Sequence, residues 1–439
     1  MASALPPGRL GLPWIGESVD YFRDPFKFLR SRHARYGPML RTRLAGRTVY
    51  CFAGPDAIAF FYDRRYFTRE KANPVQVEQL AYPDAIIGLD QTPRHAARRE
   101  QVLAFYTREA RESFIPAIDR TVCGYLRRWE RLGTFAWLPE LKTLSVDLLT
   151  ALLGEPDREP GGKRPLVGLV ERMAFATFGL PINLPITRYG RGIAARNQVR
   201  AYIASRLADG SDREGTIIRY ARAARSAHGI GMTQDELELE LHHFLFGSFQ
   251  TLTGAFAGVV TRLGDHPDVA ARVAQEAVDL VPGQTLSSTD LAARPYLLQV
   301  ANEVRRTTPL ICHTFFARAK TECEFAGFRV PEGVLATASL HATLHDPTLF
   351  PKPDEFDPDR FGPSRGEGAR ENTFVAHGGG PWNGHRCPGE GLADLMLQIF
   401  TLRVAGGYGW KLAPQTRALD MRTPVPLPVS GIPVRFHRA

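Results

Sequence analysis

The stretch from Thr233 to Arg262, TQDELELELHHFLFGSFQTLTGAFAGVVTR, limits what this chain can fold into more than any other. It opens with a Thr-x-x-Glu spacing, Thr233 and Glu236, in which each side chain can cap the other's backbone N–H, so it predicts a helix start. The first turns are acidic and amphipathic, but from Phe244 to Thr261 the residues are mostly apolar or small on every side. A helix without a polar face cannot lie on a surface, so the rest of the chain must wrap around it. The expected fold class is therefore mainly α with a small β part. Gly247, Ser248, Gln250, Thr251 and Gly254 interrupt the apolar run with small and polar groups. They either admit a closely packed neighbour, with hydroxyls bonded back to the helix, or form a groove against which a flat ligand lies.

No repeat, low-complexity tract or Gly/Ser linker divides the chain, so residues 1–439 are expected to form a single domain. Residues 39–53, MLRTRLAGRTVYCFA, alternate and turn at Ala45-Gly46, which predicts a hairpin. DPFKFLRSRHARYG before it and PDAIAFFYD after it read as helices, and the pattern from 95 to 153 is mostly helical. Residues 179–192, GLPINLPITRYGRG, read as a Pro/Gly-interrupted loop, and the last quarter is irregular and proline-rich.

The net charge of +9 is spread along the chain and densest in RHAARREQVLAFYTREARE and RRWERLG. Without a nucleic-acid-binding signature or a basic tail, it implies a solvated or partner-facing surface and no nucleic acid. The cysteines, at 51, 123, 312, 323 and 387, form no C-x-x-C pair, which argues against a disulfide framework and structural zinc and for a reducing compartment. No apolar run reaches the roughly eighteen residues of a membrane span, and MASALPPGRLGLPWIGES has no signal pattern. The expectation is a cytoplasmic protein with no membrane partner.

Two later segments carry chemistry. ANEVRRTTPL sets Glu303 and Arg306 on one helical face, and PDEFDPDRF supplies Arg360 from a proline-punctuated loop. A carboxylate shared by two guanidiniums would clamp that helix to that loop. FVAHGGGPWNGHRCPGEGLA, from Phe374 to Ala393, then surrounds a single thiol, Cys387, with glycines and cations. Glycine lets backbone N–H groups approach a sulfur, and Pro388 suits the start of the next helix, whose positive end would lie near it.

Taken in this order, the segments resemble a cytochrome P450 from GLPWIGES to the C-terminus. Phe374, VAHGGGPWN and Gly384-His385-Arg386-Cys387-Pro388-Gly389 form a lengthened version of that family's F-x-x-G-x-(R/H)-x-C-x-G loop. The triple-glycine form is similar to the fatty-acid peroxygenase branch, as are FYDRRYFTRE and GLDQTPRHAARR. The resemblance implies the cytochrome P450 fold and haem b (iron-protoporphyrin IX), with Cys387 as the iron's thiolate, Phe374 opening the haem loop, and His95, Arg99, Arg318 and His385 on the haem propionates. It also implies a pocket for a hydrophobic small molecule. The lining would come from residues 75–90, the 179–192 loop, His243, Phe246, Gly247 and Gln250, Leu310, Ile311, Cys312, His313 and Thr314, and the turn TPVPLPVSG. Cys51, Cys123 and Cys323 read as core filler.

Gly247-Ser248-Phe249-Gln250-Thr251 stands where the family's monooxygenases have A/G-G-x-(D/E)-T and its peroxygenases Arg-Pro, which makes Gln250 and Thr251 the catalytic candidates. An amide cannot take up and release a proton as a carboxyl does. No arginine occurs from Gln234 to Thr261 to anchor a fatty-acid carboxylate. Three readings remain. One is a monooxygenase tailoring a product of bacterial specialised metabolism, with Thr251, Gln250 and water replacing the acid, and with ferredoxin and its reductase feeding electrons through a basic surface around Arg98 to Arg111. The second is dioxygen-independent haem-thiolate chemistry: peroxygenation, rearrangement or nitrene-type transfer. The third is a non-catalytic haem carrier or sensor.

Overall fold

The computed structural model describes residues 4–81, 85–89, 93–210, 212–281 and 283–439. Its centre is the long helix Gln234–Asp265, which starts where the capping signal put it: Thr233 Oγ1 accepts from Glu236 N at 3.3 Å and the Glu236 carboxylate accepts from Thr233 N at 3.0 Å. It runs three residues beyond Arg262, because the Arg262 carbonyl still accepts from His266 N and only Pro267 begins a new helix. By length and composition this helix could cross a bilayer, but 72% of its apolar window is buried inside the protein. Trp137–Leu152, Arg188–Ala208, Pro295–Thr307 and Glu390–Gly407 pack around it. The hydroxyls on its buried side bond inward, Thr253 to Phe249 O at 2.8 Å and to Ser145 Oγ at 3.0 Å.

The hairpin forms from Met39–Leu44 and Arg47–Phe52, with both turn residues, Ala45 and Gly46, at positive φ. That geometry matches the twist of the flanking strands. Leu335–Ala338, Ala317–Ala319 and Phe67–Thr68 extend it to five strands, and Thr134–Ala136, Pro433–Arg438 and Tyr408–Leu412 make a second sheet. The architecture is thus mainly helical with a small β part, as expected.

Three local readings need correcting. The 179–192 loop ends at Thr187, whose side chain caps Arg188–Ala208, so Tyr189 to Gly192 are helical. The glycines there serve close approach: a Cβ on Gly190 would lie 2.0 Å from Leu184 O, and one on Gly192 2.4 Å from Ala176 Cβ. Pro388 stands before its helix, whose cap is Gly389. The 75–90 segment is a helix, Val75–Ala81, followed by a short turn at Ile86–Gly88, and residues 82–84 and 90 lie outside the described residues.

Candidate active site

Cys387 is held by a loop that backbone contacts shape. Its N–H donates to His377 O at 3.1 Å, and Gly378 and Gly380 both take positive φ. The triple glycine lies against the end of the helix Pro55–Phe61: a Cβ on Gly379 would come within 2.4 Å of Ile58, and one on Gly380 within 2.6 Å of the Tyr62 side chain. Beyond the sulfur, a Cβ on Gly389 would sit 3.8 Å from Sγ and 3.7 Å from the Tyr106 ring. Burial raises the thiol's pKa, and the Gly389 N–H is the largest opposing influence. Helix Glu390–Gly407 then begins behind the sulfur, with the Arg111 guanidinium lying where a side chain on Gly391 would go. Phe374 is used on the core side of the loop, edge to face with Phe361 at 5.0 Å and beneath Arg305.

A cluster of cations gathers at the loop's other end. The His385 and His95 rings are 4.6 Å apart, and Arg99 donates to Trp382 O. Burial, then Arg69, His95, Arg99 and Arg64, hold the His385 imidazole well below its usual pKa. Arg69 and Arg99 make no ion pair among the described residues, and His385 Nε2 is buried without a hydrogen-bond partner there. Such a set fits a doubly anionic edge, which the two propionates of haem would provide.

Arg318 does not join the cluster. Its guanidinium donates to Gly333 O at 2.9 Å, because strand alternation points its buried neighbours Ala317 and Ala319 the other way. Arg69, buried and bonded to Phe315 O at 2.6 Å, is the cation with the largest influence on His385. The sequence carried little sign of it: Arg69 is one arginine of several in FYDRRYFTRE.

The distal face belongs to the central helix. Gln250 is 7% exposed and makes no side-chain hydrogen bond among the described residues. Thr251 Oγ1 donates back to Gly247 O at 2.9 Å. A Cβ on Gly247 would lie 3.5 Å from the His243 ring, so that imidazole runs along the same face. His243 Nδ1 in turn stands 3.9 Å from the carboxylate of Glu240, a buried residue held by Arg98 Nη1 and Ile86 N, each at 2.9 Å. Arg98 also pairs with Glu236, which is partly exposed. Glu236, Glu240, His243, Gly247 and Thr251 thus form one stripe at i, i+4 and i+3 spacings, from solvent to the middle of the helix.

The remaining lining residues divide. Leu310 and Val425, the latter in the turn TPVPLPVSG, meet this face: a Cβ on Gly254 would fall 2.9 Å from Leu310 and 3.1 Å from Val425. Phe246 packs with Ala81 and Ala85, and Ile311 is exposed. His313 is spent as a strut, bonding Tyr21, Thr314 O and Thr337, and burial pushes the neighbouring Cys312 thiol up to about 12. Residues 180–186 of the 179–187 loop are exposed. The proposed donor surface also changes. Arg98 and Arg99 are buried, leaving Arg94 and Arg108 exposed on this side and Arg386 half-buried in a pair with Glu390.

The family model described as Cytochrome P450 matches residues 197–434. Cytochrome P450 120 of Synechocystis sp. is 30% identical, over 99% of this chain and 97% of that protein. A solved retinoic-acid-bound cyanobacterial CYP120A1 superposes with a TM-score of 0.88 at 29% identity, covering 100% of both chains. Cytochrome P450EX alpha (CYP152N1), solved with myristic acid, shares the fold at a TM-score of 0.78 and 22% identity, again over 100% of each chain.

Proposed function

Since the chain belongs to the cytochrome P450 family, whose members are haem b oxidoreductases acting on hydrophobic substrates, we propose that it is a dioxygen-dependent monooxygenase of a hydrophobic small molecule, with Cys387 as the iron's thiolate. Bound haem b supplies the oxidation: one atom of dioxygen enters a C–H bond while two electrons and two protons reduce the other to water. Arg69, Arg99, His95 and His385 would hold its propionate edge. Ferredoxin and its reductase are the proposed electron source.

The observation that carries the reading is the stripe on the central helix. Gln250 cannot exchange a proton, but the Glu240–His243 pair can, and it stands between partly exposed Glu236 and the Thr251 hydroxyl. In this scheme His243 takes a proton on the Glu240 side and releases it toward the cavity beside Gly247, while Gln250 orients a polar group of the substrate. The apolar lining by Leu310 and Val425 suits a rigid, largely hydrocarbon molecule, such as the isoprenoid acid in the cyanobacterial relative. Modification of such a molecule is tailoring chemistry of specialised metabolism.

The deciding experiment compares turnover of one substrate under dioxygen with reductase, under peroxide, and anaerobically without reductant. His243→Phe is expected to lower dioxygen-driven turnover about a hundredfold, with reductant lost to peroxide, and to spare peroxide-driven turnover. Gln250→Glu is expected to maintain or raise turnover and coupling. The dioxygen-independent reading is favoured by the same amide, which would be needed intact to bind substrate. A Gln250→Glu protein with normal haem that loses substrate affinity decides for that reading.

The cation cluster has its own test. Arg69→Gln is expected to release haem to apomyoglobin about tenfold faster, from loss of one charge-assisted hydrogen bond. Arg318→Gln is expected to release it at the wild-type rate, and the opposite ranking would restore Arg318 to the propionates.

A further inference from the structure

A cavity of about 480 Å³ opens on the outer side of the segments that wall the central helix. The helix Pro25–Tyr36 gives it a stripe of Lys27, Ser31 and Ala34 at i, i+4 and i+7, and Pro309, Leu419 and Met421 belong to segments distant in sequence. A concave site of this size, largely apolar with a few polar groups, suits a small molecule.

The wall between this cavity and the central helix is one hairpin thick. Leu419–Asp420 pairs antiparallel with Leu427–Pro428, Leu419 opposite Pro428 and Asp420 opposite Leu427, so strand alternation sets Leu419 and Leu427 on opposite faces. Leu419 lines the cavity, whereas Leu427 meets the central helix, 3.7 Å from where a Cβ on Gly254 would lie. Pro309 and Leu310 repeat the division: the first lines the cavity, and the second falls 2.9 Å from the same Cβ. His341, also in the cavity, donates its backbone N–H to Cys312 O at 3.2 Å, which ties this lining to the segment that follows Leu310.

The polar groups say what the occupant is. Asp24 is committed as the helix cap, accepting from Lys27 N at 2.9 Å, with its charge set against the positive end of that helix. Arg30 is closed into a pair with Asp354 at 2.5 and 2.7 Å. That leaves the Lys27 ammonium, exposed and without an ion pair among the described residues. It also leaves the His341 ring, edge to face with Phe26 at 4.9 Å and without a side-chain hydrogen bond among the described residues. Burial, then His345, Arg30 and Arg306, hold that imidazole well below its usual pKa, so it is neutral and offers one donor nitrogen. A carboxylate matches the two, one oxygen to the ammonium and one to the imidazole N–H, with a hydrocarbon body against Phe26, Pro309, Leu419 and Met421.

We infer that this cavity is a second ligand site, which takes a small hydrophobic monocarboxylate and tunes the haem-side pocket through the shared wall. The tuning rests on the haem-side reading of the central helix, and the binding does not.

Equilibrium dialysis of the haem-loaded full-length protein with farnesoic acid, and with farnesol as its uncharged match, tests the binding. The acid is expected to bind about tenfold more tightly than the alcohol, and Ala34→Trp, an exposed substitution that fills the cavity, is expected to abolish this binding while keeping the wild-type carbon monoxide spectrum. Lys27→Gln should remove the acid's advantage. Imidazole, a small ligand for the iron, reads the wall: saturating farnesoic acid should change its midpoint in Soret titrations about fivefold or more in the wild type and leave it unchanged in Ala34→Trp. No binding of the acid, or binding that Ala34→Trp and Lys27→Gln both leave at the wild-type level, overturns the site whatever reaction the enzyme performs. An imidazole midpoint that the acid does not move, or moves equally in the wild type and Ala34→Trp, overturns the tuning.

Discussion

Cys387→Ser is expected to abolish the strongly red-shifted Soret band that the reduced wild-type protein should give with carbon monoxide, and to lower haem content severely. A serine oxygen is of nearly the same size but a poor ligand to ferrous iron, so the loop should keep its shape and lose its donor. That shape does not depend on the side chain: Cys387 N donates to His377 O, and the glycines rest on Ile58 and Tyr62. Buried without iron, the thiol is pushed toward its neutral form. Ligation must therefore expel the proton, and haem uptake should release acid. Circular dichroism separates loss of ligand from loss of fold. A folded Cys387→Ser protein that retained the wild-type spectrum would remove Cys387 from the iron.

Arg306→Ala is expected to cost about 3–5 kcal/mol, because it removes one of the two guanidiniums that neutralise a buried carboxylate. Glu303 and Arg306 are fully buried and Arg360 nearly so. Arg306 Nε and Nη2 donate to Glu303 at 2.7 Å each, and Arg360 Nε and Asp357 N donate to the same carboxylate at 3.1 and 2.9 Å. Arg306 also gathers the carbonyls of Leu344, Pro353 and Glu355, at 3.0, 2.8 and 3.1 Å. The loop that leads to Cys387 is thus folded around one guanidinium. Urea unfolding should show the loss directly, and haem content should fall with it. A variant with wild-type stability and haem would mean that the clamp does not hold the loop.

The central helix was legible because its capping pair is local, and the clamp because Glu303, Arg306 and Arg360 precede the cysteine loop in the order that carries the family resemblance. Arg69 and Arg318 were not separable, since each is an arginine in a short strand-like stretch and only pairing register decides which way it points. Arg98 looked like surface charge for a related reason. PRHAARRE has the composition of a solvated helix, and nothing local shows that Glu236 and Glu240 will meet Arg98 from more than a hundred residues away. The glycines of 188–192 read as loop because helix propensity ranks glycine low, whereas tight contact with Leu184 and Ala176 outweighs propensity there.

Glu240 faces His243 with one oxygen and holds Ile86 N with the other. A shift of the backbone at residues 85–88 would take Ile86 N from that oxygen and leave it to Arg98. Variants that move this backbone segment are therefore expected to change coupling, whereas exchange of the Ile86 side chain on an unmoved backbone keeps the N–H in place.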